Sequence, residues 1–263
     1  MSLTSPATNL WLRISQPRPQ ARLRLFCFPY AGGSASIYRT WPQHLPADVE
    51  VCAMQLPGRE NRIRERPFTD VVELVRVLLP NLLPYLDKPF ALFGHSMGSL
   101  IAYELAQQLQ QYSQTPTHLL VSGRRAPTLP EPEALLHTLP SDEVFLAELQ
   151  RRYQNIPAVL FEDAELRELF MPLLRADLTL VETYECTAQT PLSCPLVALG
   201  GVDDARVSQA ELQAWQALTH ENFAFHRFPG GHFYLNEQVQ PLLATIASYL
   251  ASANYTTVVT DIR

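Results

Sequence analysis

The segment FALFGHSMGSLIAYELAQQL, residues 90–109, constrains the fold more than any other stretch of the chain. Phe90, Ala91, Leu92 and Phe93 form a short apolar run of the kind found in strands covered on both faces. Ile101, Leu105 and Leu109 then recur at helical spacing. Between the two stands G-x-S-x-G, Gly94 to Gly98, with Ser96 at its centre. Taken alone, Ser96 could be an ordinary helix cap in a glycine turn. In the order strand, G-x-S-x-G, helix, the pentapeptide predicts a nucleophile elbow, a tight turn that holds the hydroxyl out above a sheet.

The rest of the chain supplies that sheet. Apolar runs at 23–29, 49–56, 90–95, 118–123, 195–201 and 223–228 alternate with helical patterns at 35–45, 69–79, 97–111, 208–218 and 237–251. Such alternation implies a doubly wound, mainly parallel α/β sheet. Pro80 and Pro84 predict that the helix over 69–79 ends or kinks near Leu79. About 70 residues separate the strand ending at Gly123 from the one beginning near Pro195, against the dozen or so that a crossover requires. This stretch carries apolar stripes at helical spacing, with Ser141 and Asp163 placed to cap helices. It predicts a core made of 1–123 and 195–263, interrupted by a helical lid insertion at 124–194.

At 263 residues and 47% hydrophobic, the chain can bury a large core. A net charge of −6 argues against nucleic acid as a partner. No window reaches the roughly 18 apolar residues of a spanning helix, and the first 25 residues lack a secretory pattern. The expectation is a cytoplasmic protein without membrane association. Cys27, Cys52, Cys186 and Cys194 show no C-x-x-C spacing, so neither a metal site nor structural disulfides are expected. Asn254-Tyr255-Thr256 matches a glycosylation acceptor, which has no meaning without a secretory signal.

A serine hydroxyl attacks only when a base takes its proton, and the base needs a third group to orient it. Of the seven histidines, His220, His226 and His232 lie far enough downstream to follow the serine, acid, histidine order of α/β-hydrolases. His226 falls inside a strand and His220 at a helix end. His232, in FPGGHFYL, follows a strand on a loop that Gly230 and Gly231 allow to fold back, and is the expected base. His95, beside the nucleophile, is assigned to packing or orientation. The acid should follow the preceding strand, where Asp203 and Asp204 adjoin in ALGGVDDARVS. Spacing from Gly201 and to Val207 resembles the G-x-x-D-x-x-V habit of the superfamily and selects Asp204, with Asp203 as the alternative or a helix cap. The tetrahedral intermediate needs two aimed N–H donors. One is Met97, the residue after the nucleophile; the other comes from the glycine-rich CFPYAGGSAS, with Ala31 first and Tyr30 second.

Six segments, FPYAGGSAS, QLPGRENR, FGHSMGSLIAYELA, PLLRADLTLVETY, LGGVDDARVS and FPGGHFYL, together resemble a type II thioesterase from about Leu23 to Leu250. These are the free-standing editing enzymes of polyketide and nonribosomal peptide synthases. The resemblance implies an α/β-hydrolase fold, a Ser96, Asp204, His232 triad, Ala31 and Met97 as oxyanion donors, and 124–194 as the lid. It implies hydrolysis of misloaded or stalled acyl groups from the phosphopantetheine thiol of acyl or peptidyl carrier proteins. No cofactor is expected beyond the pantetheine that the substrate carries, and the enzyme is expected to be a monomer. Alternatives are a product-releasing thioesterase or acyltransferase, a generic serine esterase, and a non-catalytic carrier-binding module. A subset of Phe145, Leu149, Phe161, Leu169, Phe170 and Leu173 in the insertion is expected to line an acyl channel. Arg59, Arg62, Arg64 and Arg66 after one strand, and Arg124 and Arg125 after another, are expected to flank the entrance and attract an acidic carrier.

Overall fold

The computed structural model describes residues 9–131, 133–154, 156–187 and 190–251; the sequon-like Asn254-Tyr255-Thr256 lies outside them. Among these residues a seven-stranded sheet is built from β1 (Leu12–Arg13), β2 (Leu23–Phe28), β3 (Val49–Met54), β4 (Phe90–His95), β5 (Leu119–Ser122), β6 (Leu196–Gly201) and β7 (Phe223–Phe228). The spatial order is β1-β3-β2-β4-β5-β6-β7. Every neighbouring pair is parallel except β1, which runs antiparallel to β3 with Leu12 opposite Met54. The two-residue β1 is too short to carry a periodic signal, and the sequence patterning gives no sign of it.

A pleated strand has period two, so a strand that is apolar at every position must be covered on both sides. In β2, Leu23, Leu25 and Cys27 enter one core, and Phe26 and Phe28 the other. Each such side chain contributes roughly 1.5–3 kcal/mol on burial. The Phe26 face is covered by α1 (Val71–Leu82) and α2 (Met97–Gln111), the Leu25 face by α8 (Val239–Ala251) and the single turn α7 (Tyr234–Glu237). Between β5 and β6 lie α3 (Asp142–Tyr153), α4 (Val159–Glu162) and α5 (Ala164–Glu182), and between β6 and β7 lies α6 (Gln209–Gln213).

The expected caps form. Ser141 Oγ accepts from Val144 N at 3.3 Å, and Asp163 accepts from Glu165 N and Leu166 N at 2.9 and 3.0 Å. The inserted helices share a small core of their own that includes Leu136, Phe145, Leu149, Leu160, Met171 and Leu178. Leu180 and Val181, at the end of α5, belong instead to the main core. The insertion is thus anchored to the sheet at its C-terminal helix.

Helix ends depart from the periodic patterns in three places. The helix expected to end or kink near Leu79 continues through Pro80 to Leu82, because Pro80 lies on the exposed face. There the carbonyl of Arg76, four residues back, can turn to water when its partner N–H is missing. The pattern over 35–45 is two 3-10 turns, Ala35–Tyr38 and Trp41–Gln43, the second carrying Pro42. The pattern over 208–218 is α6 followed by a 3-10 turn, Ala214–Leu218.

Strand order reverses between β2 and β4, whose C-terminal ends meet with Phe28 opposite Gly94. Loops leaving the two strands diverge there and open a crevice, the usual ligand position in doubly wound sheets. They are the glycine-rich loop at 29–34 and the turn at Ser96.

Candidate active site

Ser96 occupies the junction of β4 and α2 with φ 53° and ψ −112°, in the left-handed half of backbone space that a serine rarely enters. The conformation is fixed from several sides. Ser96 N donates to Ser122 O at 2.7 Å, and Ser99 Oγ donates to Gly94 O at 2.8 Å while accepting from Ser122 N at 3.0 Å. Both glycines of G-x-S-x-G are required by contact. A Cβ on Gly94 would stand 2.0 Å from Gly98 O, and one on Gly98 would stand 2.1 Å from Phe28 O.

Gly201 and the 230–231 loop make a second backbone crossing, since a Cβ on Gly201 would lie 2.3 Å from Gly231 O. This close approach brings the loop after β7 over the end of β6. There His232 Nδ1 donates to Asp204 Oδ2 at 2.9 Å, and Asp204 Oδ1 accepts from Arg206 N at 2.8 Å. A carboxylate can only accept, so the imidazole proton sits on Nδ1 and Nε2 is left as a base. Ser96, Asp204 and His232 are each 8% exposed. Asp203 faces solvent, with Oδ2 accepting from Gly230 N at 3.3 Å. Adjacent residues point to opposite sides, and only Asp204 meets the imidazole.

His95 lies under His232 with ring centroids 5.2 Å apart. Its Nδ1 is bonded to Ser122 Oγ at 2.8 Å, and Ser122 Oγ to Tyr234 Oη at 2.7 Å. Burial holds the His95 pKa well below its ordinary value. The ring therefore presents no positive charge to His232.

Met97 begins α2, and its N–H is one of the four at a helix start that lack an intrahelical acceptor. Ala31 and Tyr30 border the same cavity as Ser96 and His232. Their loop turns on a Gly33 N to Tyr30 O bond of 2.9 Å and a left-handed Gly32, φ 75°. It is tied from outside by Asp177, on α5, whose Oδ2 accepts from Gly32 N at 2.8 Å. Arg59 joins the cluster, donating to Asp177 Oδ1 and Oδ2 at 2.8 and 3.2 Å and to Gly33 O at 2.8 Å.

Three of the six arginines expected to attract a carrier, Arg59, Arg62 and Arg125, are buried and not displayed at the surface. Arg59 is buried in the cluster just described. Arg62 is buried too, on Gln55 O at 2.9 Å, on Glu65, and with its guanidinium carbon 4.2 Å from the centre of the Trp11 ring. Arg125 is buried against Glu211 at 2.6 Å and Pro130 O at 2.8 Å. Arg124 is half-buried and paired with Glu131. Each of the three buried guanidiniums meets both a carboxylate and a backbone carbonyl at hydrogen-bond distance, which favours burial over display. Arg64 and Arg66 are exposed.

Of the six insertion residues, Leu149 alone borders the cavity at Ser96. Phe145 is buried in the core of the insertion under Arg175, Phe170 packs against that core, and Leu173 is buried close to Gly58. Phe161 and Leu169 face solvent, 42% and 52% exposed. The lining comes instead from Tyr153, Ile156, Leu174, Leu178, Val181 and Phe233. Helical spacing marks Leu174 and Leu178 as inward-facing but cannot say whether they face a cavity or a neighbour. The cavity measures about 50 Å³.

Sheet, elbow and crossing loops define an α/β-hydrolase. The family described as "Thioesterase domain" matches residues 23–250. The chain is 40% identical over 243 residues to gramicidin S biosynthesis protein GrsT of Aneurinibacillus migulanus, covering 92% of this chain and 94% of that one. It is 43% identical over 256 residues to a Brevibacillus parabrevis protein named linear gramicidin dehydrogenase LgrE, covering 96% and 97%. None of the ten glycines here forms the G-x-G-x-x-G of a dinucleotide site. The structure of the type II thioesterase BorB from the borrelidin biosynthetic cluster superposes with a TM-score of 0.83 at 38% identity, covering 94% of this chain and 100% of that one. The chain belongs to the thioesterase domain family and is a hydrolase of thioesters.

Proposed function

We propose that this enzyme is an external editing thioesterase that frees the phosphopantetheine thiol of carrier domains from misloaded or stalled acyl groups. His232 Nε2 takes the Ser96 proton as Oγ attacks the thioester carbonyl, and Asp204 steadies the imidazolium that results. The oxyanion is received by the N–H groups of Ala31 and Met97, the second strengthened by the start of α2. Collapse expels the thiolate, which takes the proton from His232, and leaves an acyl-Ser96 ester. Water, deprotonated by the same nitrogen, then releases the acid and restores Ser96. Over the cycle the Ser96 proton leaves on the thiol and is replaced by one from the water, with His232 carrying each in turn; the pantetheine arrives with the substrate.

The observation that carries this reading is the 2.9 Å bond between His232 Nδ1 and Asp204 Oδ2 beside a cavity that His232 shares with Ser96. Carrier domains as partners are supported by likeness to biosynthetic relatives such as GrsT and BorB. A monomer acting on the mobile pantetheine arm fits a site that one chain completes. The test is mass spectrometry of a panel of acylated carrier domains incubated with enzyme. Wild type is expected to return free holo-carrier and Ser96→Ala to leave the panel intact; equal deacylation by both would remove Ser96 from the chemistry.

A further inference from the structure

We infer that Arg59 and Asp177 are positioning residues for the oxyanion hole, holding the peptide that carries the Ala31 N–H in its reactive orientation. The inference rests on Ala31 being an oxyanion donor, as proposed above. Three bonds fix the loop. Gly33 N donates to Tyr30 O at 2.9 Å, which orients the very peptide whose other end is the Ala31 N–H. Asp177 holds the next peptide through Gly32 N at 2.8 Å, and Arg59 holds the one after Gly33 through its carbonyl at 2.8 Å. No acceptor among the described residues takes the Ala31 N–H itself.

The two side chains are 4% and 2% exposed and meet through a bidentate contact. Arg59 is held further by Pro57 O at 3.2 Å, and its own carbonyl accepts from Gln55 Nε2 at 3.1 Å. Gln55 Oε1 in turn accepts from Ala35 N at 3.1 Å, just beyond the loop. A buried ion pair is poor value as a source of stability, because desolvation offsets most of the attraction. It is well suited to fixing geometry, since a fork of donors on a carboxylate permits one arrangement. Preorganised donors need such rigidity: a dipole that must reorient during reaction stabilises the transition state less. Asp177 reaches the loop from α5, 145 residues along the chain from Gly32. The inserted segment therefore takes part in aiming the oxyanion donor as well as in covering the acyl group.

The experiment compares wild type with the pair variant Arg59→Met/Asp177→Leu, which removes both charges and leaves neither unpaired. Turnover of an acyl-pantetheine is measured beside the affinity of a trifluoromethyl ketone analogue, which forms an oxyanion on Ser96. We expect kcat to fall about a hundredfold, KM to stay within about twofold, and the ketone to bind about a hundredfold more weakly. Arg24→Met, which removes a guanidinium paired with Glu50 at the far end of β2, should lower Tm and leave kcat and ketone affinity unchanged. Should the pair variant fail to fold, Asp177→Asn, of the same shape, is measured identically and is expected to weaken the ketone more than KM. A folded variant with wild-type kcat and ketone affinity would overturn the inference, as would equal losses in kcat and ketone affinity for Arg24→Met. Hydrolysis surviving in Ser96→Ala would instead overturn the serine mechanism, so the two failures are distinct.

Discussion

Tyr153, the last residue of α3, lays its ring against the imidazole of His232, with centroids 5.1 Å apart and planes at 63°. Arg206 covers the same ring, its guanidinium carbon 5.5 Å from the centroid, and Arg206 also pairs with Glu133. The inserted segment thus touches His232 directly. The ring also borders the cavity beside Ser96, about 50 Å³, and is placed to limit what enters there.

Tyr153→Ala should therefore enlarge the cavity and favour long acyl chains. A methylene in an apolar pocket is worth roughly 1–3 kcal/mol of discrimination. The ratio of kcat/KM for an eight-carbon over a two-carbon acyl-pantetheine should rise about tenfold or more. Phe161→Ala and Leu169→Ala, on the solvent side, should leave the ratio unchanged. Movement of the ratio by the latter two and not by Tyr153→Ala would place the acyl path on the outer face of the insertion.

Asp204→Asn should lower kcat by about four orders of magnitude, since the amide cannot hold His232 in the tautomer that leaves Nε2 free. Asp203→Asn should cost less than about tenfold, because its exposed carboxylate accepts one long bond, from Gly230 N at 3.3 Å, among the described residues. Steady-state rates on one acyl-pantetheine decide it, and the reverse ranking would exchange their roles.

Among the arginines, Arg125→Glu should destabilise without discriminating between substrates. It places a carboxylate beside Glu211 in a buried site, a loss on the order of 3–5 kcal/mol. Arg64→Glu with Arg66→Glu, on the surface, should slow acyl-carrier substrates at low salt and spare the small acyl-pantetheine. Melting temperatures and paired kcat/KM values across a salt series separate the two effects. Equal rates on both substrates for the surface pair would leave carrier docking to other groups.

Stability should fall as the medium becomes acidic. Burial holds His95 well below its usual 6.5 and lowers His118 in the same sense. In the unfolded chain both regain ordinary values, so below pH 6.5 the unfolded state binds protons that the native state refuses. The contribution is complete above pH 6.5 and is lost as pH drops toward the depressed values. For His95 the slope is up to about 1.4 kcal/mol per pH unit. Urea unfolding at pH 7.5, 6.5 and 5.5 should show this slope, and His95→Phe should flatten it even though it weakens the protein throughout. A variant slope equal to wild type would mean that His95 takes up its proton over the same pH range in the native and unfolded states.

What was legible in the sequence was whatever local periodicity and backbone sterics govern. Six of the strands, the elbow at Ser96 and the caps at Ser141 and Asp163 could be read because each depends on residues within a few positions of one another. Alternation along the chain limited Asp203 and Asp204 to one partner for the imidazole, and the spacing from Gly201 and to Val207 favoured Asp204, although local sterics do not separate the two. Beyond that range a local pattern carries no information on burial. Arg59, Arg62 and Arg125 look like surface charge in sequence, since charge says nothing of burial until its partner is known. The partner of Arg59 is Asp177, which stands 118 residues away on a helix whose stripe reads as ordinary amphipathic packing.

The same division applies to the inserted helices. Their apolar stripes show which faces turn inward, but Phe145, which fills a core, and Leu149, which borders the cavity, obey one periodicity. Only the packing of α3 and α5 over the crevice between β2 and β4 distinguishes them. The sequence by itself determined the parallel sheet, the strained serine and the order of the triad candidates, because these follow from spacing along one chain. The tertiary structure alone decided that Asp204 and not Asp203 meets His232, which side chains surround the cavity at Ser96, and that a buried arginine and a distant aspartate hold the glycine-rich loop after β2, because those depend on which segments are brought within about 3 Å, the range of a hydrogen bond.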